Sequence, residues 1–214
     1  MRISNKIVFD TAQHNLSKLT NELNRANMVV ASQKRILRLS DDPVGLTQAL
    51  SMKSDLANIE QMERNIGLVK NWLTASESAQ RQIQNLVSET KTLCVQMATD
   101  TIGAKERESA ALIVENNLKE IVAMANTQVD GRYIFAGSDT ETTAFSIDGD
   151  NDVTYHGDNN TFAIKISKDA SMVVGRDGEA VFQPSGAGAA DDTFTVMKDL
   201  ITALEGDSVA GIRT

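Results

Sequence analysis

Two histidines, His14 and His156, and one cysteine, Cys94, are the scarcest reactive side chains of this 214-residue chain. They form no His-Glu-x-x-His or Cys-x-x-Cys pair and no arguable Ser–His–Asp order. A single cysteine excludes an internal disulfide. Its neighbours Leu93, Val95 and Met97 argue for a buried, inert thiol. The tract Asp148-Gly149-Asp150-Asn151-Asp152-Val153 spaces its oxygen donors like a calcium loop. It departs where the loop matters: Val153 replaces the turn glycine, Asn159 replaces the twelfth-position acid, and strands rather than helices flank it. Gly131-Arg132-Tyr133-Ile134-Phe135-Ala136-Gly137 has paired glycines but lacks the Lys-Ser/Thr of a phosphate loop. Asp41-Asp42 before Pro43 could hold a metal or share a proton. Helix capping explains the pair more simply. Proline suits a first helical turn and pushes Asp42 into the extended conformation of an N-cap, where its carboxylate meets the orphan N–H groups. No enzyme, cofactor or metal is therefore expected.

The elements that carry these residues divide by glycine. Three of the 13 glycines lie in residues 1–130 and ten lie beyond. The first part reads as helix almost throughout and the second as strands and turns. Phe9, Ala12, Leu16, Leu19, Leu23, Ala26 and Val30 recur at alternating spacings of three and four. This predicts a helix from about Ser4 to Leu37 with a narrow seam that wants a partner helix. A second helix is expected from Pro43 to about Thr99, about 85 Å if unbroken. Its stripe reads Met52, Ile59, Ile66 and Leu73, with Leu56, Met62 and Val69 beside them, and continues after Trp72 through Ile83, Leu86, Thr90, Leu93 and Met97. A turn at Thr99–Gly103 then leads into a third helix, Lys105 to about Asp130, which folds back antiparallel and stops at Gly131. Strands are expected at Val153–Tyr155 and Thr161–Ile166, joined as a hairpin through Gly157–Asn160. Met172–Val174 and Val181-Phe182 read as further short strands, Pro184–Gly188 as a loop and Thr193–Leu204 as helix.

The expected fold is mainly α: a long antiparallel, coiled-coil-like helical rod with a small β-rich insertion. Its parts are an assembly helix (1–40), expected to be disordered in the monomer, the rod (41–131), an outward β-rich segment (132–192) and a short helix opening a carboxy-terminal rod (193–214).

Charge and composition narrow the function class. The net charge of −8 argues against nucleic acid as a partner. Residues 1–40 carry seven basic and two acidic side chains, whereas residues 139–192 carry three and eleven. Aromatics are only 4% of the chain, which suits helix–helix seams better than one thick core. No apolar run reaches the roughly 18 residues of a membrane span, and the start has no apolar region of a cleavable signal peptide.

The Met-Arg-Ile-Ser start, the heptad helix, Gln33-Lys34-Arg35-Ile36 and Leu39-Ser40-Asp41-Asp42-Pro43 together resemble the amino-terminal region of flagellin-type axial proteins. The Ser-Asp-Asp-Pro form is similar to the branch that joins hook to filament. Gly131-Arg132-Tyr133-Ile134-Phe135-Ala136-Gly137-Ser138-Asp139-Thr140 is a second and more specific match, with Gly131, Tyr133, Phe135 and Gly137 as its marks. The resemblance implies a structural subunit of the bacterial flagellum, exported by the flagellar type III route without a cleavable signal peptide. The implied partners are copies of itself, a neighbouring hook-associated protein, flagellin and an export chaperone, with no nucleic acid and no membrane. Phe9, Leu16, Leu19, Leu23, Ala26 and Val30 would be its assembly seam. It also implies a long carboxy-terminal helix packed on the amino-terminal ones. The sequence ends at Gly211-Ile212-Arg213-Thr214, where that helix would begin, so a truncated chain lacking this partner helix is the expectation, and helices from other copies filling the gap is the alternative. A minor flagellin, or a coiled-coil chaperone or signalling module, is the alternative reading.

Overall fold

The structure, a computed structural model, describes residues 2–34, 36 and 42–213, with side chains from residue 6 onward. Arg35, Leu39, Ser40 and Asp41, on which part of the resemblance rests, and Leu37, the expected end of the first helix, lie outside the described residues. The chain divides into two units, residues 1–60 and 61–214.

The first unit holds helix α1 (Arg2–Ser32) and the beginning of α2 (Pro43–Met97). α1 is shorter than the periodicity predicts. Gln33 takes a left-handed conformation, φ 55°, and Ser32 Oγ accepts the Lys34 N–H at 3.3 Å, a local bond that replaces another helical turn. At the start of α2, Asp42 Oδ1 accepts the Gly45 N–H at 2.8 Å, and the Asp42 carbonyl accepts the Leu46 N–H at 2.9 Å. Gly45 permits this closeness, since a Cβ there would lie 2.5 Å from Asp42 Oδ2. Asp42→Ala is expected to weaken the first turn of α2 by about 1 kcal/mol. Faster amide hydrogen exchange at Gly45 and Leu46 would report it.

In the second unit, α2 buries Val69, Trp72, Ala79, Ile83 and Thr90, with Leu86, Leu93 and Met97 partly buried. These positions keep the alternating three- and four-residue spacing. The structure corrects the upstream stripe. Ile66 and Leu73 are exposed, on a flank of α2 adjacent to the buried face. The periodicity alone does not tell which of two apolar stripes, about 100° apart around one helix of 3.6 residues per turn, is the buried one.

Helix α3 (Ala104–Ala125) returns antiparallel to α2. Near its start Arg107 reaches the carbonyls of Met97 and Thr99 at 3.1 and 3.0 Å, and ten residues on Asn117 Nδ2 donates to Thr90 Oγ1 at 3.0 Å. α3 ends five residues before the predicted stop. Asn126 leaves the helix, and its side chain pairs with the backbone of Phe145, donating to the carbonyl at 2.7 Å and accepting the N–H at 2.9 Å. Asp130-Gly131 is therefore no helix terminus. With φ of 52° and 77°, it forms the tight turn of a hairpin, β1 (Gln128–Val129) against β2 (Arg132–Tyr133).

The strand pairing also differs from expectation. β3 (Phe145–Ile147) pairs antiparallel with β4 (Val153–Tyr155), and β5 (Ala163–Lys165) with β6 (Ser171–Val173). No hairpin joins β4 to β5. Asp148 Oδ1 accepts the N–H groups of Asp150 and Asp152 at 3.0 and 2.8 Å, which folds the preceding tract into the β3–β4 connection. The calcium-like spacing is thus a turn closed by its own first carboxylate. Val181-Phe182 is not a strand either. It lies in a short helix, α4 (Gly178–Phe182), whose first turn is capped by Asp177 accepting from Ala180.

Helix α5 (Thr193–Glu205) buries Phe194, Met197, Ile201 and Leu204, and runs close along α3. Ala110 and Ala111, buried on α3, are small enough to permit that approach. The direction is antiparallel, since Arg107 pairs with Asp207 just beyond the end of α5. A last turn, α6 (Val209–Ile212), brings Arg213 to the carbonyl of Ala98, which it meets through Nε at 3.2 Å and Nη2 at 2.8 Å. Arg107 and Arg213 together occupy carbonyls that α2 leaves open at its carboxy-terminal end.

Candidate assembly surface

The seam of α1 lies open in the first unit. Phe9, Leu16, Leu19, Leu23 and Val30 are 61–76% exposed, and Ala12 and Ala26 are exposed between them. Met52, Leu56 and Ile59 on the first part of α2 are exposed as well, by 56–70%. Apolar side chains at heptad spacing that are exposed among the described residues form a surface suited to other helices.

The marks of the Gly131–Thr140 motif have a different role, all within the second unit. Gly131 supplies the left-handed turn. Tyr133 is half-buried, its N–H donating to the Thr140 carbonyl at 2.9 Å and its hydroxyl accepting from Thr143 at 3.2 Å. Phe135 is fully buried, edge-on to Phe182 with ring centroids 5.2 Å apart. Gly137, at φ 72°, lies against Asp158, where a side chain would collide with the Asp158 backbone. Asp158 in turn accepts from the N–H and hydroxyl of Ser138 and from Asn160, and these bonds hold its carboxyl well below the usual range. The motif is the frame of the β-rich head.

At the centre of that head sits Tyr155. Its hydroxyl lies 3.1 and 3.0 Å from the carbonyls of Phe135 and Asp158 and accepts the Gly178 N–H at 3.2 Å. Burial, aided by the charges of Asp177, Asp158 and Glu179, pushes this hydroxyl up to about 12, so it remains a donor. Phe145 stacks beside it, with Phe182 and Phe194 beyond.

The reactive side chains do not converge. His156 Nε2 lies 2.7 Å from Ser146 Oγ on the exposed face of β3–β4, and His14 is exposed on α1. Cys94 is half-buried rather than fully buried. Its thiol donates to the Ile212 carbonyl at 3.2 Å, and burial raises its pKa. Among the described residues no three His, Cys, Asp or Glu side chains gather as a metal site, and no helix is long and apolar enough to cross a membrane.

Arg107, Gln183 and Asp192 are buried polar residues that escape the sequence reading. Arg107 has no local signal, because its partners are carbonyls and a carboxylate from other elements. Asp192 does have one: an Asp-Asp pair before a helix, the same sign as Asp41-Asp42. It is 1% exposed and accepts from Gln183 Nε2, the Gly188 N–H, the Phe194 N–H and Thr195 Oγ1 at 2.6–3.1 Å. Burial alone would raise its carboxyl, but the bonds from Thr195, Gly188 and Phe194 outweigh burial and hold it below the ordinary value. A carboxyl depressed by folding stabilises fully above its unfolded pKa of about 4, and the contribution is lost as pH falls through the folded value. Asp192→Ala is expected to cost the second unit about 2–3 kcal/mol at neutral pH. The deficit should shrink in denaturation curves taken below about pH 4.

A family model for the bacterial flagellin N-terminal helical region matches residues 3–140. The chain belongs to that family, as a flagellin-type structural protein. Within it, the chain is 25% identical to the flagellar hook-associated protein 3 of Escherichia coli and to that of Salmonella typhimurium, over 96% of its own length and 67% of theirs. The FlgL protein of Bacillus cereus superposes with a TM-score of 0.63 at 26% identity, covering 78% of each chain. A flagellar hook-associated protein of Vibrio parahaemolyticus shares the fold, with a TM-score of 0.71 over 82% of this chain and 79% of that one, at 18% identity. Mainly helical architecture, one long helix and small antiparallel sheets are thus common to this chain and its relatives.

Proposed function

We propose that this chain is a structural subunit of the bacterial flagellum that forms the junction between hook and filament. The observation that carries the reading is the open heptad seam of α1, on a chain similar along 96% of its length to hook-associated protein 3. Its work is mechanical rather than catalytic. Phe9, Leu16, Leu19, Leu23, Ala26 and Val30 bury against helices of neighbouring subunits: copies of itself, a second hook-associated protein and flagellin. The seam helix α1 is disordered in the free monomer and folds on assembly, because a narrow seam without a partner barely sustains a helix. The subunit acts outside the cell, reached by flagellar export with a chaperone. The acidic β-rich head faces outward.

Adding the purified protein to isolated hooks tests this. The expected result is capped hook ends on which added flagellin grows filaments. Self-polymerisation into long filaments would instead favour a minor flagellin, and capture of one soluble client a chaperone.

A further inference from the structure

Helix α3 does not reach along the whole buried face of α2. Arg107 meets Met97 and Asn117 meets Thr90, so the two helices run antiparallel with a fixed offset. At equal rise per residue, Ala125 at the end of α3 comes level with about residue 82 of α2. Val69 and Trp72 lie beyond that end, yet they are only 5% and 3% exposed. The β5–β6 hairpin covers this stretch. The ring of Phe162, just before β5, meets Trp72 edge-on with centroids 5.5 Å apart. At the far end of β5, the Lys165 carbonyl accepts from Asn65 Nδ2 at 2.6 Å. From Asn65 to Trp72 the helix rises about 10 Å, and from Phe162 to Lys165 a strand spans about 10 Å. The two contacts therefore match in length, and β5 lies antiparallel along about two turns of α2. Phe162, Ile164 and Ile166 are half-buried while Ala163 and Lys165 are exposed, the alternation of a strand with one covered face.

The hold of this hairpin is light. Two strands of three residues barely pair by themselves, and every residue of β6 is exposed. The aromatic cluster of Phe135, Phe145, Tyr155, Phe182 and Phe194 contains no residue of the hairpin. The hairpin can therefore open without opening the cluster. Gly67 lies in α2 between the two anchor points, Asn65 and Trp72. Among the described residues nothing lies within 4 Å of where its Cβ would be, and glycine inside a helix loosens the helix relative to alanine.

We propose that the β5–β6 hairpin is a splint across Gly67. Closed, it holds α2 stiff over the glycine. Opened as a unit, it lets α2 unwind and bend there while the aromatic cluster stays folded. The splint does not depend on the junction reading, since every residue in it belongs to the second unit.

Amide hydrogen exchange of the full chain, read by mass spectrometry, tests the splint. Peptides covering residues 161–174 and 64–72 are expected to exchange at one shared rate, faster than residues 110–122 of α3. Phe162→Ala should speed both about tenfold by removing the ring contact. Asn65→Asp, which keeps the helix propensity but removes the donor, should speed both about fivefold. Neither should change exchange in α3. Adding Gly67→Ala to Phe162→Ala should return residues 64–72 to slow exchange and leave the hairpin fast. A merely structural contact would not give that separation. Exchange of the hairpin in step with α3 overturns the proposal, as does faster exchange of α3 in either variant. So does a stretch 64–72 that ignores Phe162→Ala, or that stays fast when Gly67→Ala is added.

Discussion

Phe145→Ala is expected to destabilise the second unit by about 3–5 kcal/mol, the cost of deleting a fully buried aromatic side chain. Phe145 is 1% exposed, and its ring touches three others, with centroids 5.0 Å from Tyr155, 5.1 Å from Phe194 and 5.6 Å from Phe182. These rings come from β4, α5 and α4, so one side chain ties β3 to every one of these elements. Relaxation into the hole is restricted. Gly178 packs so closely on the Phe145 ring that a Cβ there would lie 2.6 Å from it, and the Phe145 backbone is fixed on both sides by Asn126. Typical domains have 5–15 kcal/mol in total, so this variant should unfold at much lower urea concentration. A urea titration followed by Trp72 fluorescence would measure it, since Trp72 sits 5.5 Å from Phe162 in the same unit. A shift equivalent to less than 1 kcal/mol would mean that the aromatic cluster does not hold the head.

The other large effect concerns assembly rather than folding. Leu16→Asp and Leu23→Asp are each expected to abolish incorporation into flagella while leaving the urea midpoint of the second unit unchanged. Both leucines are more than 60% exposed, so an aspartate there costs the free chain little. Inside a helix seam the same carboxylate would be buried without a partner, at a cost of several kcal/mol per subunit. Repeated at every subunit, that penalty is decisive. Immunoblots of sheared flagella, with Val44→Asp as an exposed control off the seam, would read it. Normal incorporation of both seam variants would refute the role given to α1.

The boundaries of α2 were legible because covalent chemistry marks them: Asp42 and Pro43 can open a helix, and the turn beyond Met97 has no apolar continuation. The end of α3 was not legible. Asp130-Gly131 carries both a helix-stop and a hairpin signal, and the choice is made by Asn126, whose side chain finds the Phe145 backbone 19 residues away. The β pairing failed for a similar reason. Gly157–Asn160 looks like a turn in isolation, but Asp158 is engaged by Ser138, twenty residues upstream, which leaves β4 free to pair with β3. At Val181-Phe182 side-chain propensity pointed to a strand, and the Asp177 cap prevailed. The period of α1, by contrast, needs no fold to be seen, since its apolar side chains Phe9, Leu16, Leu19, Leu23 and Val30 are exposed among the described residues. The Gly131–Thr140 motif was recognisable as a pattern, but its reason required the fold: Gly137 is needed because the Asp158 backbone occupies the space of a side chain.

Arg107 and Arg213 give the end of α2 a mechanical property. A tension pulling α2 away from α3 does not act on the turn at residues 98–103 alone. Four guanidinium hydrogen bonds, from α3 on one side and the segment after α5 on the other, grip the successive carbonyls of Met97, Ala98 and Thr99. Loaded in parallel, such bonds must break together rather than one after another. In a joint between a rotating hook and a long propeller, this corner would transmit torque as a stiff coupling instead of yielding as a hinge.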